Sequence, residues 1–287
     1  MQLPAVFDAG QYVRIWPDLA GFDPLAARDH YRKHGCREGR RAHGLATRQD
    51  FIGLIPRDTP SLEIGPFCSP VLVGPNVSYF DVLSQTELQA RARSLGIDEA
   101  RVPRIDFVSP TGDLTAVDRT FGSVVSSHCI EHQPDLVYHL QQVSRILVPG
   151  GRYYVLVPDK RYCFDVFMAE STVAEVIGAH QQRRRVHPLK SVIEHRAMTT
   201  HNDVARHWAG DHGTLPDDQD ARIRKAMEEF READGGYVDV HAWYLTPQNA
   251  PAILRTLREL GMVDLAVERC YPTQHHANEF WMVLGKP

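Results

Sequence analysis

The chain is 287 residues long, with 43% hydrophobic and 24% charged residues, enough apolar material to close a core and too much for a disordered or fibrous chain. Thirty-two Lys and Arg stand against 36 Asp and Glu, a net charge of −4. That balance argues against a surface built to coat a polyanion, so nucleic acid is not an expected partner. No run approaches the roughly 18 apolar residues of a membrane span, and Met1-Gln2-Leu3-Pro4-Ala5 has neither a basic n-region nor an apolar h-region. A cytoplasmic protein is expected. Cys36, Cys68, Cys129, Cys163 and Cys270 are odd in number and widely spaced, which indicates neither a disulfide framework nor a structural zinc site.

In chain order, residues 7–43 read as short helical pieces cut by the turn signals Trp16-Pro17-Asp18, Gly21-Phe22-Asp23-Pro24 and Gly35. A segment of this size is expected to lack a core of its own and to pack on the rest. From residue 61 short apolar runs alternate with helical stretches. Ser61-Leu62-Glu63-Ile64 stops at Gly65-Pro66, Val77-Ser78-Tyr79-Phe80 at Asp81, and Arg104-Ile105-Asp106-Phe107-Val108 at Ser109-Pro110. Phe121 to Ser126 precedes a helix over 134–147, whose Leu136, Val137, Leu140, Val143 and Leu147 share one face. Gly151 to Val157 then ends at Pro158-Asp159. Such β-branched runs between helices predict parallel strands of an α/β sheet.

Residues 166–235 break this rhythm: they are polar, with the run Arg183-Arg184-Arg185 and six of the 15 histidines between 180 and 212. A helical insertion or lid is expected. Regular order returns with Tyr237-Val238-Asp239-Val240, a helix over 247–260 opened by Thr246-Pro247, a strand near 263–268 and a strand from Glu279 to Leu284.

Ligands of an open parallel sheet bind at the carboxyl ends of its strands, where helix N-termini offer unpaired N–H groups. Asp81 follows Glu63 by 18 residues, the spacing at which an acid beyond a glycine turn can accept from two ribose hydroxyls; an ordinary strand-capping acid is the alternative. The fourth strand ends in Ser126-Ser127-His128-Cys129-Ile130-Glu131-His132. Ser127 and His128 are candidate cofactor contacts there, and a buried, satisfied histidine is the alternative for His132.

The order Leu62-Glu63-Ile64-Gly65, Tyr79-Phe80-Asp81, Val124 to His132, and Arg145-Ile146-Leu147-Val148-Pro149-Gly150-Gly151 resembles that of the class I S-adenosylmethionine-dependent methyltransferases. The resemblance runs over residues 61–165 and is strongest in "S-S-H-x-I-E-H" followed by "R-x-L-x-P-G-G". It implies a Rossmann-like, seven-stranded, mostly parallel sheet with the last strand antiparallel, S-adenosylmethionine as cofactor and S-adenosylhomocysteine as product. It also implies that Glu63, Ile64, Gly65, Pro66 and Phe67 approach the methionine end, that Asp81 binds the ribose, and that Ser127 and His128 lie near the methyl centre. For the adenine, Asp106, Asp113 and the backbone at Phe107 and Val108 stay open.

The chain departs from the family's E/D-x-G-x-G-x-G loop, with Phe67 and Ser69 at the later glycines, and side chains there should narrow the pocket. "E-I-G-P-x-x-x-P" together with "V-P-D-K-R-Y-x-F-D" over Val157–Asp165 resembles a type 11-like bacterial subgroup whose substrates are mostly unassigned. The resemblance divides the chain into a helical N-terminal module (1–45), a cofactor-binding core (46–165), a helical lid (166–235) and the closing part of the core (236–287).

Methyl transfer is an in-line displacement that needs a nucleophile near 3 Å from the methyl carbon, and a base only if the acceptor is protonated. The candidates by position are His128, Asp159 and Tyr162, with His201 or His241 reaching over from the lid and the segment after it. No metal is assigned. His195, His201, His207 and His212 are spaced by six, six and five, which puts no pair on one helical face, although a folded loop could gather them with Asp203, Asp211 or His241. Arg183-Arg184-Arg185 suits an anionic group of the acceptor or a solvated helix face. Phe7-Asp8, Tyr12, Pro17-Asp18-Leu19-Ala20, Asp23-Pro24-Leu25, His30-Tyr31, His34-Gly35 and Glu38-Gly39-Arg40 resemble a short module attached to bacterial glycosyltransferases and other cell-surface glycan proteins. By association that points to a small-molecule or glycan acceptor and O-methylation in polysaccharide biosynthesis. A non-catalytic scaffold of a glycan-synthesis system is the alternative, and metal-dependent hydrolysis a third.

Overall fold

The computed structural model describes residues 3–287. Two short helices open it, α1 (Ala9–Ile15) and α2 (Pro24–His30). Asp8 caps α1 by accepting from the Gln11 amide, and Asp23 caps α2 by accepting from Leu25 and Ala26, with Pro24 leading the helix. The expectation that this segment lacks a core is corrected: Tyr12, Leu19, Ala27, Tyr31 and Ala42 are buried together. The Phe7, Tyr12 and Tyr31 rings pack at centroid distances of 5.0–5.6 Å, and aromatic rings bury enough area each for a very small cluster to hold. The segment also leans on the rest, as the His275 amide donates to the Gly39 carbonyl at 3.0 Å.

The core begins with α3 (Arg48–Ile52), set by a reciprocal cap between Thr47 and Asp50. Then come β1 (Ser61–Ile64), β2 (Val77–Asp81), α4 (Gln85–Ser94), β3 (Phe107–Val108), β4 (Phe121–Ser127), α5 (Leu136–Ile146) and β5 (Leu147–Pro158). The inserted segment 166–235 is helical, as expected: α6 (Val173–Gln181), α7 (Leu189–Ala197), α8 (Val204–Trp208) and α9 (Gln219–Glu232). The closing part is α10 (Asn249–Glu259), β6 (Ala266–Tyr271) and β7 (Glu279–Gly285).

The seven strands form one sheet in the order β3-β2-β1-β4-β5-β7-β6. β1 pairs parallel with β2 and β4, β2 with β3, and β4 with β5, while β7 runs antiparallel to both β5 and β6. This is the Rossmann-like, mostly parallel sheet with an antiparallel last strand. β7 is buried along its whole length because it has a strand on either side, which is why Phe280-Trp281-Met282-Val283-Leu284 reads as an unbroken apolar run. Leu136, Val137, Leu140 and Val143 of α5 join the main core under the sheet.

Two strand expectations change. Only Phe107 and Val108 pair from the run at 104–108, because the Asp106 carboxylate accepts from the Tyr79 amide at 3.0 Å and takes the place of a ladder carbonyl. Tyr237–Val240 forms no strand; its Val238 and Val240 are buried with Val192 of α7 and Ala226 of α9. Among the described residues no helix is long and apolar enough to cross a membrane.

Candidate functional site

The sheet order reverses between β1 and β4, and the carboxyl ends of β1, β2 and β4 meet there, the crevice where open α/β sheets take ligands. β1 turns at Gly65 with φ +70°. A Cβ at this position would come within 2.7 Å of the Cys129 sulfur, so the close approach of the two strand ends needs glycine. The Gly65 amide donates to the Phe80 carbonyl at 2.9 Å, which ties the turn to the end of β2.

Glu63 is buried, and its carboxylate accepts from the amides of Val71 and Leu72 at 2.7 and 2.8 Å. It thus clamps the 65–72 loop rather than facing the crevice. Burial pushes its pKa up to about 7 against those two amides. Phe67, also at positive φ, packs with Leu88, Ala92 and Val102 on the α4 side, and the Arg91 guanidinium lies over its ring. The ring expected to narrow the pocket is therefore taken up by α4.

Asp81 closes β2 with only 7% of its surface exposed. The Leu83 amide donates to it at 3.2 Å. Burial raises its pKa, opposed by the amides of Leu83, Val82 and Phe67 that face the carboxylate. The Gly65 turn, the Phe67 amide and Asp81 thus lie together. Of the residues left open for adenine, Asp106 is bound to Tyr79, and Asp113 accepts from the Tyr138 hydroxyl at 2.8 Å. Phe107 lies beneath the Arg119 guanidinium and Val108 is exposed.

The β4 end looks toward α3 and β7. Ser127 Oγ accepts from Arg48 at 2.6 Å, and Arg48 also pairs with Glu279. His128 Nε2 lies 2.9 Å from the same Glu279 carboxylate, which accepts in addition from Trp281 Nε1. Burial lowers the His128 pKa, but the hydrogen bond to Glu279 and the charge of Glu131 outweigh it and leave the imidazole above its usual range. A cleft of about 380 Å³ opens beside this network, lined by Thr47, Arg48, His128, His275, Asn278 and Glu279.

Asp159 and His201, two of the expected catalytic groups, have other tasks. Asp159 is fully buried and accepts from the backbone and guanidinium of Arg161 and from the Thr273 hydroxyl at 2.6 Å. Both of its carboxylate oxygens are thus engaged within the fold. His201 accepts from the Asp203 amide and donates to the Asp211 carbonyl, both at 3.1 Å. Tyr162 stacks on Trp208 at 3.8 Å. In the arginine run, Arg185 lies over the Tyr138 ring and 3.7 Å from Asp113.

The histidine group expected from the lid divides in two. His201, His207 and His212 stack on one another, with centroids 4.3 and 5.3 Å apart. His195 instead joins a largely buried group with His241, as a folded loop allowed, and with His132, Asp165 and Glu131, which spacing did not show. His241 Nδ1 donates to Asp165 at 2.6 Å, and the His241 amide donates to His195 Nδ1 at 3.2 Å. The His132 and His241 rings meet edge to face at 4.6 Å. Glu131 and His132 stand in the quoted strand-end motif and Asp165 closes the other, but only folding brings them together. Arg48 and Glu279 carried no sequence signal.

No family model matches the chain, and no curated protein matches it either. Among solved structures it is similar to the CcbJ methyltransferase from Streptomyces caelestis, at 12% identity over 88% of this chain and 95% of that one, with a TM-score of 0.41. It is also similar to the glycopeptide N-methyltransferase MtfA complexed with sinefungin, at 22% identity over 45% of this chain and 54% of that one, TM-score 0.29. A third is an S-adenosylmethionine-dependent methyltransferase from Clostridium acetobutylicum, at 16% identity over 39% and 47%, TM-score 0.27. The chain spans about half the length of the last two. At these identities and scores the likeness says nothing of substrate or chemistry.

Proposed function

We propose that the chain is an S-adenosylmethionine-dependent methyltransferase whose cofactor lies across the ends of β1, β2 and β4. One observation carries this reading: the positive-φ Gly65 turn and the buried Asp81 carboxylate lie side by side at the switch point of a sheet ordered β3-β2-β1-β4-β5-β7-β6. The residues suit the cofactor. Gly65 lets backbone approach its methionine end, Asp81 has acceptor capacity for two ribose hydroxyls, and Glu63 holds the loop between them. When bound, the cofactor supplies an activated methyl group on a sulfonium.

The chain's own contribution is orientation, since in-line transfer from a sulfonium needs little beyond alignment and exclusion of water. His128, fixed by Glu279, and Ser127, fixed by Arg48, shape the methyl end as positioning residues. His241, held by Asp165, is the acceptor-side group. The acceptor we assign is a hydroxyl of a sugar or glycan precursor in cell-surface polysaccharide biosynthesis, supported by the module-like segment Phe7–Arg40. A non-catalytic scaffold is the second reading, favoured by Phe67 and Ser69 standing where the family's loop carries its later glycines.

The test is incubation of the full chain with methyl-labelled S-adenosylmethionine and a panel of glycan precursors. Label on an acceptor oxygen with matching S-adenosylhomocysteine supports the reading. Cofactor consumption without an acceptor indicates intramolecular displacement instead, and binding of glycan enzymes without turnover supports the scaffold.

A further inference from the structure

Behind the β4 end, three carboxylates and three histidines gather: Glu131, Asp165 and His241 are buried, His132 and His195 half-buried, and Asp239 stands at the exposed rim. One ligand atom from each of Glu131, His132 and His241 lies within 4.8 Å of the others. Glu131 is fully buried, and neither of its carboxylate oxygens has a hydrogen-bond partner among the described residues. A buried carboxylate left so is costly unless a cation meets it.

Each of the two histidines has a carboxylate on the side away from Glu131. His241 donates through Nδ1 to Asp165 at 2.6 Å, which leaves Nε2 with its lone pair. His132 Nδ1 lies 3.0 Å from Asp239, close enough to pair though not aligned as a hydrogen bond, and His132 Nε2 lies 3.8 Å from Glu131 Oε1. A carboxylate behind each ligating imidazole is the second shell that fixes its tautomer in metal sites. Around an ion bound at about 2.0–2.1 Å, ligand atoms stand roughly 3.3 Å apart. The gap between His132 and Glu131 needs only a small contraction to reach that.

From this juxtaposition we infer that Glu131, His132 and His241 form a two-histidine, one-carboxylate site for a divalent first-row transition metal, with Asp165 and Asp239 as orienting carboxylates. Nitrogen and oxygen donors in this number suit zinc or iron and leave coordination positions open. A second trio, Asp165, His195 and His241, is as compact, but there Asp165 and His241 already use their facing atoms on each other. The inference goes beyond methyl transfer: its ligand is an inorganic ion, and its test needs neither cofactor nor acceptor.

The experiment strips the full-length protein with chelator and titrates it with zinc and, separately, with cobalt(II), reading calorimetric stoichiometry, the visible cobalt spectrum and metal content by mass spectrometry after desalting. One equivalent retained per chain, with a cobalt spectrum of low coordination number, is expected. Glu131→Gln and His241→Ala should each weaken binding at least about 100-fold, while His207→Ala, in the separate stack of His201, His207 and His212, should leave it unchanged. Glu131→Gln keeps the shape of the side chain, and circular dichroism with thermal melting confirms that each variant is folded. Retention in His241→Ala with loss in His207→Ala would place the ion on that second histidine stack and overturn the inference. So would absence of stoichiometric binding in folded wild type.

Discussion

On the β1–β2 side of the crevice the buried carboxylates are satisfied by backbone close in sequence: Glu63 by the amides of Val71 and Leu72, Asp81 by that of Leu83. On the lid side, Glu131, Asp165 and Asp239 meet histidines from distant segments, and Glu131 with one oxygen of Asp165 finds no partner among the described residues. The first side is a surface complete in itself, preorganised by turns for a ligand that approaches backbone. The second is assembled from segments around residues 131, 165 and 241 that are far apart in sequence, and it retains unused binding capacity. In the proposed enzyme the first would hold the cofactor and the second would face the acceptor.

That division breaks most visibly at Asp81. Asp81→Ala should weaken S-adenosylmethionine binding at least about 100-fold, or about 2.7 kcal/mol, while metal uptake stays as in wild type; paired calorimetric titrations check both. An effect on both ligands would mean that the two sides are one unit. Asp165→Asn should reduce metal affinity about 10- to 100-fold by loosening His241, with cofactor binding unchanged, as read by cobalt titration. Gly65→Ala adds a Cβ at positive φ against the Cys129 sulfur and should cost about 1–3 kcal/mol of stability. Denaturant unfolding measures that cost, and a matching loss of cofactor affinity would place the turn in the cofactor surface.

The smallest effect concerns pH. Burial works against ionisation of Glu279, but the His128 hydrogen bond and the Arg48 charge hold its carboxyl below the usual range, and His128 stands above its own. The Glu279 contribution is present above the unfolded carboxyl pKa and lost as the pH falls through its depressed value. The His128 contribution is full below an unfolded pKa of about 6.5 and is lost as the pH rises through its raised value. Since His128 is about one-third exposed, solvent screening limits the effect to under about 1 kcal/mol. Melting curves from pH 6 to 9 should show His128→Gln losing the decline that wild type shows above neutrality.

The strands were legible because a buried parallel strand announces itself within five to seven residues, and β1, β2, β4 and β7 fall where the apolar runs stand. The same short range made Gly65 and Asp81 readable, since turn and acid each end a strand. β3 was overestimated because at Asp106 the side-chain carboxylate, not a backbone carbonyl, accepts from the Tyr79 amide. The lid side was not legible, since spacing along the chain does not report distances between residues 131, 165 and 241. His201 and His195 looked alike in sequence, yet one is held by the backbone of Asp203 and Asp211 and the other is half-buried beside His241. Arg48 was invisible because its partner Glu279 lies 231 residues away.

The central claim, that the crevice at Gly65 and Asp81 takes S-adenosylmethionine, is tested most directly by calorimetric titration of the purified chain with S-adenosylmethionine and, separately, S-adenosylhomocysteine. The account predicts one site per chain with micromolar affinity for both and a thermal shift with each. Absence of heat and of any shift with either compound would contradict it and leave a fold whose crevice serves no such cofactor.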